Sequence, residues 1–371
     1  MSFLWLNAIW IIAFIVFVHE MGHYLVARWN GVAIHTFSIG FGPEVFGWND
    51  RHGTRWRLSA IPLGGYVRFV GDMNPASVPD PDAAALVDPA LAPKLFINKS
   101  VWQRIAVVIA GPIANVLLTF LILYALLLGY GRSTITPVIG EVVSGSVAQQ
   151  AGFEPGDTIK SVDGYPVRGF EDFQRYIATA PARQVVVEIV RGGAERALTL
   201  VPEAVTIEDR FGNPQRIGRI GVSRSVEAED VTLYRPDPVE AVGMTAEEIR
   251  FIVERTAAFL GDFFVGRGDV EQLGGPVKVA KVSGEVATLG FIALVNLMAL
   301  LSLNIGVFNL LPIPMLDGGH LLYYVIEAIR GRPLSLKIQE IGFRFGFALV
   351  LALMVFTLFN DTVFSHFGIL R

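Results

Sequence analysis

His19, Glu20 and His23 stand in the run His19-Glu20-Met21-Gly22-His23, a grouping able to do hydrolytic metal chemistry. Histidines four residues apart on a helix lie one turn apart on one face, where both imidazoles reach a single zinc ion. The glutamate between them points toward the open side of that ion, where a general base for water belongs. The setting sharpens this reading. From Phe3 to Val18 the only side chain that is not apolar is Asn7, and Tyr24 to Ala27 continue the run until Arg28 closes it. Ionisable groups at membrane depth are costly and by default mark a functional site. Counted back from Arg28 at about 1.5 Å per residue, His19 lies roughly 14 Å into the segment, below one membrane surface rather than at mid-bilayer.

A catalytic zinc needs three protein ligands and an open position. The chain has no cysteine, so any further ligand is a histidine or a carboxylate. The second stretch with relevant chemistry runs from Asn304 through Asn309, Pro312 and Pro314 to Asp317-Gly318-Gly319-His320. Two prolines break an apolar helix there, and membranes tolerate such a break only against protein or a water-filled cavity. Asp317 is the candidate third ligand; followed by two glycines, it reads equally well as the cap of the next helix. His320 as a fourth ligand would close the site to water, so it is assigned a supporting role. Asn115, beside Gly111-Pro112, reads as a polar tie between helices. His35 and His52 have no partner at ligand spacing and read as ordinary strand or surface residues.

These residues need apolar helices to carry them. Of 371 residues 52% are hydrophobic, and mean hydropathy is +0.50, as for a membrane protein rather than a soluble multidomain chain. A net charge of −4 gives no case for nucleic-acid binding. No basic leader or small-residue cleavage site accompanies the first apolar run, which is expected to be retained. The expected fold is a polytopic α-helical membrane protein with four transmembrane helices: Phe3–Trp29, Ile105–Gly129, Val286–Leu311 and a fourth within 341–364. The third span, with its Leu-Asp-Gly motif, is taken as 286–318. Lys and Arg concentrate in loops 31–100 and 319–340, which the positive-inside rule places in the cytoplasm. Both termini and the segment 131–285 then lie on the periplasmic side of a bacterial inner membrane.

Between the first two spans, Val32 to Val70 alternates apolar and polar residues around Gly40, Gly42, Gly64 and Gly65, predicting a membrane-associated β-hairpin. Met73 to Lys99 reads as a connector with one short helix. Residues 131–228 read as one small α+β domain. Its run from Ala151 through Gly156-Asp157 to Asp163-Gly164 resembles PDZ domains of the bacterial, protease-associated kind. Asp163-Gly164 suits a type I′ turn, and Phe170 to Ala180 is the expected groove helix. Residues 229–285 read as an amphipathic helical region. Its aromatic end, Phe259 to Phe264, is read as packing on a membrane interface or, equally, inside the soluble domain.

Taken together, His19-Glu20-Met21-Gly22-His23, Gly111-Pro112-Ile113-Ala114-Asn115 and the Asn309-x-x-Pro-x-Pro-x-Leu-Asp-Gly run resemble the site-2 protease family of zinc metalloproteases, which cut within membranes. The PDZ-like insert and the Gly64-Gly65-Tyr66-Val67 loop narrow the resemblance to the bacterial regulator-of-sigma-E-protease branch. It implies one Zn2+ held by His19, His23 and Asp317, with Glu20 as general base. It also implies that Asn304 and Asn309 help hold substrate or shape the site. The strand-like loop with Gly64, Gly65 and Tyr66 is read, from its pattern, as able to add the substrate segment as an extra strand. The implied substrates are single-span membrane proteins of the anti-sigma-factor kind and signal-peptide remnants, with a peptide as a possible ligand of the PDZ-like domain. The branch includes members with tandem PDZ domains, whereas this chain shows one. A zinc-binding scaffold or a metal transporter is the alternative, disfavoured by the absence of an inverted repeat and by the presence of a base beside the ligands.

Overall fold

The computed structural model describes residues 2–71, 88–208, 214–224, 231–264, 274–359 and 361. In chain order, α1 (Ser2–Trp29) leads into β1 (Ile34–Asn49) and β2 (Arg55–Phe69), then 3-10 turns at Pro89–Lys94 and Phe96–Asn98, then α2 (Val101–Tyr130). There follow β3 (Arg132–Ile135), β4 (Glu141–Val142), α3 (Val147–Ala151), β5 (Thr158–Val162), β6 (Tyr165–Pro166), α4 (Phe170–Ala178), β7 (Val185–Arg191) and β8 (Ala194–Leu200). The chain continues through β9 (Glu203–Glu208), β10 (Pro214–Arg219), β11 (Val222–Ser223), β12 (Val231–Tyr234) and α5 (Pro238–Phe264). It ends with α6 (Pro276–Thr288), α7 (Phe291–Asn309), α8 (Asp317–Arg330) and α9 (Leu336–Phe359). Among the described residues four stretches are long and apolar enough to cross a membrane: Asn7–Trp29, Val101–Tyr130, Phe291–Asn309 and Lys337–Phe359.

Two boundaries differ from the sequence expectation. The third span starts at Phe291, because Val286 to Thr288 finish a separate helix, α6. Gly290 separates them at φ 105°, a conformation that costs glycine little and is invisible to a hydropathy average. The expected loop 319–340 is mostly helix: α8 occupies Asp317–Arg330, stopped by Gly331 in the left-handed region. Most of the Met73–Lys99 connector, and the extension of the fourth span through Asn360 and 362–364, lie outside the described residues; Pro89 to Asn98 form 3-10 turns.

The chain divides into two compact units, residues 1–123 with 273–371, and residues 124–272. In the first, α2 is the template. Arg104, Val107, Gly111, Asn115 and Thr119 follow at steps of three and four, which puts them on one helical face. Gly22 of α1 lies against the Ala110 carbonyl, so that a Cβ there would collide with it. Thr119 Oγ1 donates to the Ala299 carbonyl (3.0 Å) and Ser302 Oγ donates to the Asn115 carbonyl (3.0 Å), joining α7 to α2. Arg104 forms a bidentate pair with Glu327 (3.1 and 2.5 Å) and lies 4.8 Å from the Tyr324 ring centre, which ties α8 to the start of α2.

The hairpin docks on α1 through Tyr24, Phe37 and Trp56, Phe37 and Trp56 stacking at 4.4 Å. Asp50 at its turn accepts from Tyr24 Oη (3.0 Å), Trp56 Nε1 (3.1 Å) and the amides of His52 and Thr54. Burial alone would raise the Asp50 pKa, but these donors hold it at about 2, so the carboxylate is ionised wherever the protein functions. Phe37 pairs with both Val67 and Trp56, so this stretch of β1 has β2 on each side and Gly65 to Phe69 lie at an edge.

After Asn309, α7 cannot continue through Pro312 and Pro314. The chain turns from Leu310 to Leu316 with Met315 at φ 97°, a costly position for a side-chain-bearing residue. Gly342 and Gly346 of α9 close on this turn, where a Cβ on Gly346 would overlap the Pro314 carbonyl.

The second unit has a sheet of order β6-β5-β7-β8, with β3 pairing β12, β4 pairing β11 and β9 pairing β10. Asp163 (φ 52°) and Gly164 (φ 79°) both adopt the positive φ that a type I′ turn demands. Buried Asp157 takes two bonds from Arg191, both 2.7 Å, and one from the Glu154 amide. Phe251 of α5 enters the core between Tyr165 and Tyr176.

Candidate metal centre

His19 and His23 project from α1 on the face that packs against α2, and Asp317 arrives at the first turn of α8. His19 Nε2 lies 3.1 Å and His23 Nε2 3.4 Å from Asp317 Oδ2, and the two Nε2 atoms are 3.2 Å apart. Bonds of about 2.0–2.2 Å in a tetrahedron separate ligand atoms by about 3.3–3.6 Å, so the triangle has nearly the size that zinc requires.

Hydrogen bonding fixes the electron pairs of one ring and ties those of the other to the orientation of a neighbouring amide. His23 Nδ1 donates to the Val107 carbonyl (2.8 Å), so neutral His23 presents a bare Nε2 to the site. Gly111, one turn further along α2, leaves the space this ring occupies. His19 Nδ1 lies 3.2 Å from the amide of fully buried Asn115. With the amide nitrogen toward the ring, Nδ1 accepts and Nε2–H points at Asp317. A half turn of the amide places Oδ1 there instead, to accept from Nδ1–H, and His19 then offers a lone pair from Nε2. Asp317 Oδ2 and Asn115 Oδ1 are both buried without a hydrogen-bond partner among the described residues. Converging electron pairs in a buried site call for a cation. The two-nitrogen, one-oxygen donor set fits zinc.

The cap that starts α8 is Leu316, with no side-chain hydrogen bond, and the Asp317 carboxylate is turned to the histidines instead. A cavity of 390 Å³ opens on the triad. Its walls include Glu20, Gly64, Gly65, Tyr66, Asn309 and His320. Glu20 is buried, and its Cγ lies 3.1 Å from where a Cβ on Gly65 would sit. Asn304 is not among the wall residues, and neither His35 nor His52 reaches the cavity. The backbone carbonyl of Asn115 accepts from Ser302, a part any residue could play, whereas its side chain, expected only to tie helices together, reaches the His19 ring. Its contact with His19 crosses 96 residues of sequence and carries no local signal. The positively rotated Met315, also in the wall, is equally silent in sequence.

Residues 7–353 match the description of Peptidase family M50. A Rhizobium meliloti protein bearing a provisional zinc-metalloprotease name is 45% identical over 95% of this chain and 94% of its own length. Metalloprotease MmpA of Caulobacter vibrioides is 36% identical over 96% of this chain and 94% of its own. A Pasteurella multocida protein with a similar provisional name is 32% identical over 460 aligned positions, covering 97% and 99% of the two chains. The PDZ domain of an SdrC-like protein from Listeria monocytogenes covers 23% of this chain and 83% of its own, at 21% identity and a TM-score of 0.19.

Proposed function

The chain belongs to peptidase family M50, and from that premise we propose that it is a zinc endopeptidase cutting the membrane-embedded segments of single-span proteins. The observation that carries the reading is the His19, His23 and Asp317 triangle, with Glu20 beside it, in one cavity at the level of apolar helices. Zinc held by the three side chains supplies Lewis-acid chemistry, activating water and polarising the peptide carbonyl. The Val107 carbonyl and Asn115 hold the two rings in place. Glu20 takes a proton from the attacking water and passes it to the leaving amine. Its burial between α1 and the hairpin keeps bulk water from competing for that proton.

A helical substrate hides its carbonyls in internal hydrogen bonds and must be extended before attack. The Gly65–Phe69 edge beside Glu20 supports a reading in which the substrate pairs with β2 as an added strand. Tyr66 and Asn309, in the cavity walls, would touch it, whereas Asn304 would act from α7 without lining the cavity. Anti-sigma-factor-like proteins and signal-peptide remnants are the substrate classes that the family resemblance suggests. The β-rich unit, with its Asp163-Gly164 turn and the α4 helix, would present a PDZ-like groove to a peptide.

Purified protein in vesicles should cleave a single-span substrate, stop when a chelator strips its metal and resume when zinc alone is restored. Metal-free protein that cleaves at the full rate would defeat the reading, and cargo movement without cleavage would favour a transporter.

Orientation rests on the Lys and Arg of loops 31–100 and 319–340, which support a cytoplasmic location in a bacterial inner membrane. Both termini and the β-rich unit would then be periplasmic. In intact spheroplasts an impermeant thiol reagent should label Gly192→Cys and spare Ser77→Cys. The reverse pattern inverts the topology.

Asn115→Leu should lower zinc affinity by about 10–100-fold, because the His19 ring loses its orienting bond. Asn115→Asp should retain most of that affinity, since a carboxylate also accepts from Nδ1–H. Competition against a fluorescent chelator reads both variants, and wild-type affinity in the leucine variant would show that Asn115 only ties helices together.

A further inference from the structure

In the second unit a set of apolar side chains faces outward beside the end of a membrane-spanning helix. Val231 is 48% exposed, Leu233 54%, Val239 83% and Val242 46%. They belong to two neighbouring pieces of structure. Val231 and Leu233 alternate on β12, which pairs with β3 so that Leu233 stands opposite Ser133 and Tyr234 opposite Arg132. Val239 and Val242 lie on the first turns of α5, on the side away from Ala241 and Met244, which are buried in the unit. A helix that serves only its own domain turns its apolar stripe inward; this one is apolar on both sides at its start.

The location identifies what covers that face. β3 begins two residues after α2 ends, and the Leu233 side chain leans on Gly131, the residue that closes α2. Tyr124 Oη donates to the Pro238 carbonyl at 3.3 Å. Tyr124 lies six residues before the last residue of α2, or about 9 Å of helix rise. Long side chains on a helix also lean toward its N-terminus, here deeper along the span. The start of α5 therefore sits beside the last turns of α2, residues 124–130, and not beyond its end. Tyr130 (56% exposed) and Tyr234 flank the patch, as aromatic residues do at the boundary between headgroups and acyl chains. Arg235, Asp237 and Glu240 follow in sequence; Asp237 caps α5 by accepting from the amides of Val239 and Glu240, and Tyr234 donates to Glu240.

We propose that the β3–β12 ribbon and the first two turns of α5 are a lipid-facing wedge that seats this unit in the phospholipid boundary where α2 ends. Val239, Val242 and Leu233 enter the acyl region, the tyrosines lie at headgroup level, and the capped, charged start of α5 marks the polar limit. The occupant is phospholipid because the patch adjoins the last turns of α2, a helix long and apolar enough to cross a membrane. The wedge sets the height at which the β-rich unit meets whatever emerges from the membrane.

The lack of native cysteine allows a direct test in the full chain. Nitroxide labels at Val239→Cys, Leu233→Cys and, as a reference in a turn, Gly192→Cys are read in phosphatidylcholine–phosphatidylglycerol vesicles. Collision with oxygen, which concentrates in lipid, is compared with collision with a water-soluble nickel chelate. The labels at 239 and 233 should favour oxygen, and the label at 192 should favour nickel. Preference for nickel at 239 would put the face in water and overturn the proposal. Immobilised labels shielded from both reagents would overturn it too, by showing that protein, such as a second copy of the chain, covers the face.

Discussion

Glu20→Gln protein should insert, fold and bind zinc like the wild type while cleaving its substrate about 10²–10⁴-fold more slowly, the span that a positioned general base contributes. The amide matches the carboxylate in shape, so the space between α1 and Gly65 stays filled. It does not take a proton from water. Neither His19 nor His23 can substitute, since their Nε2 atoms face Asp317 and their Nδ1 atoms are engaged by Asn115 and Val107. Cleavage by the purified variant within a few-fold of the wild-type rate, at equal metal content, would remove Glu20 from the mechanism. Loss of metal along with activity would instead assign it a structural part in the site.

The second large effect is at Asp317. Asp317→Ala should reduce zinc affinity by at least a hundred-fold, because one of three protein ligands carries on the order of 3 kcal/mol of the binding energy. Asp317→Asn should be nearly as damaging, since a neutral amide is a poor zinc ligand. A helix cap predicts a different pair of results: asparagine caps as well as aspartate, and alanine alone would cost about 1 kcal/mol of stability. Zinc stoichiometry and cleavage rate on the two variants distinguish these cases. An asparagine variant with full zinc and full activity would end the ligand assignment.

What the sequence made legible was local. Two histidines at a four-residue spacing become neighbours as soon as the segment is a helix, and a long apolar run makes it one. Asp163-Gly164 announced its turn because few residue pairs accept positive φ at both positions. Asp317 was ambiguous for a physical reason: the residue that begins a helix after a break is the same whether its carboxylate faces backbone amides or a metal. The third span was read too long because a hydropathy average passes over Gly290, and the helix foreseen after Asp317 was given no length within the loop 319–340. The partners of the histidine rings were out of reach altogether. Val107 and Asn115 lie 84 and 96 residues from the rings they orient, and only the docking of α2 on α1 brings them there.

The position of Asp317 is also recorded where no atom touches it. Gly342 and Gly346 leave a groove in α9 that admits Pro314, and the turn from Leu310 to Leu316 can approach the histidines only because that groove is vacant. The fourth span thus contributes to the site by omission, and a catalogue of contacts gives it no credit. An added methyl at Gly346 would act as a remote lesion: it would displace a proline, the proline a turn, and the turn a carboxylate. Inactivating substitutions in a random screen should therefore gather on two faces, one of donors around the triad and one of mere smallness a helix away.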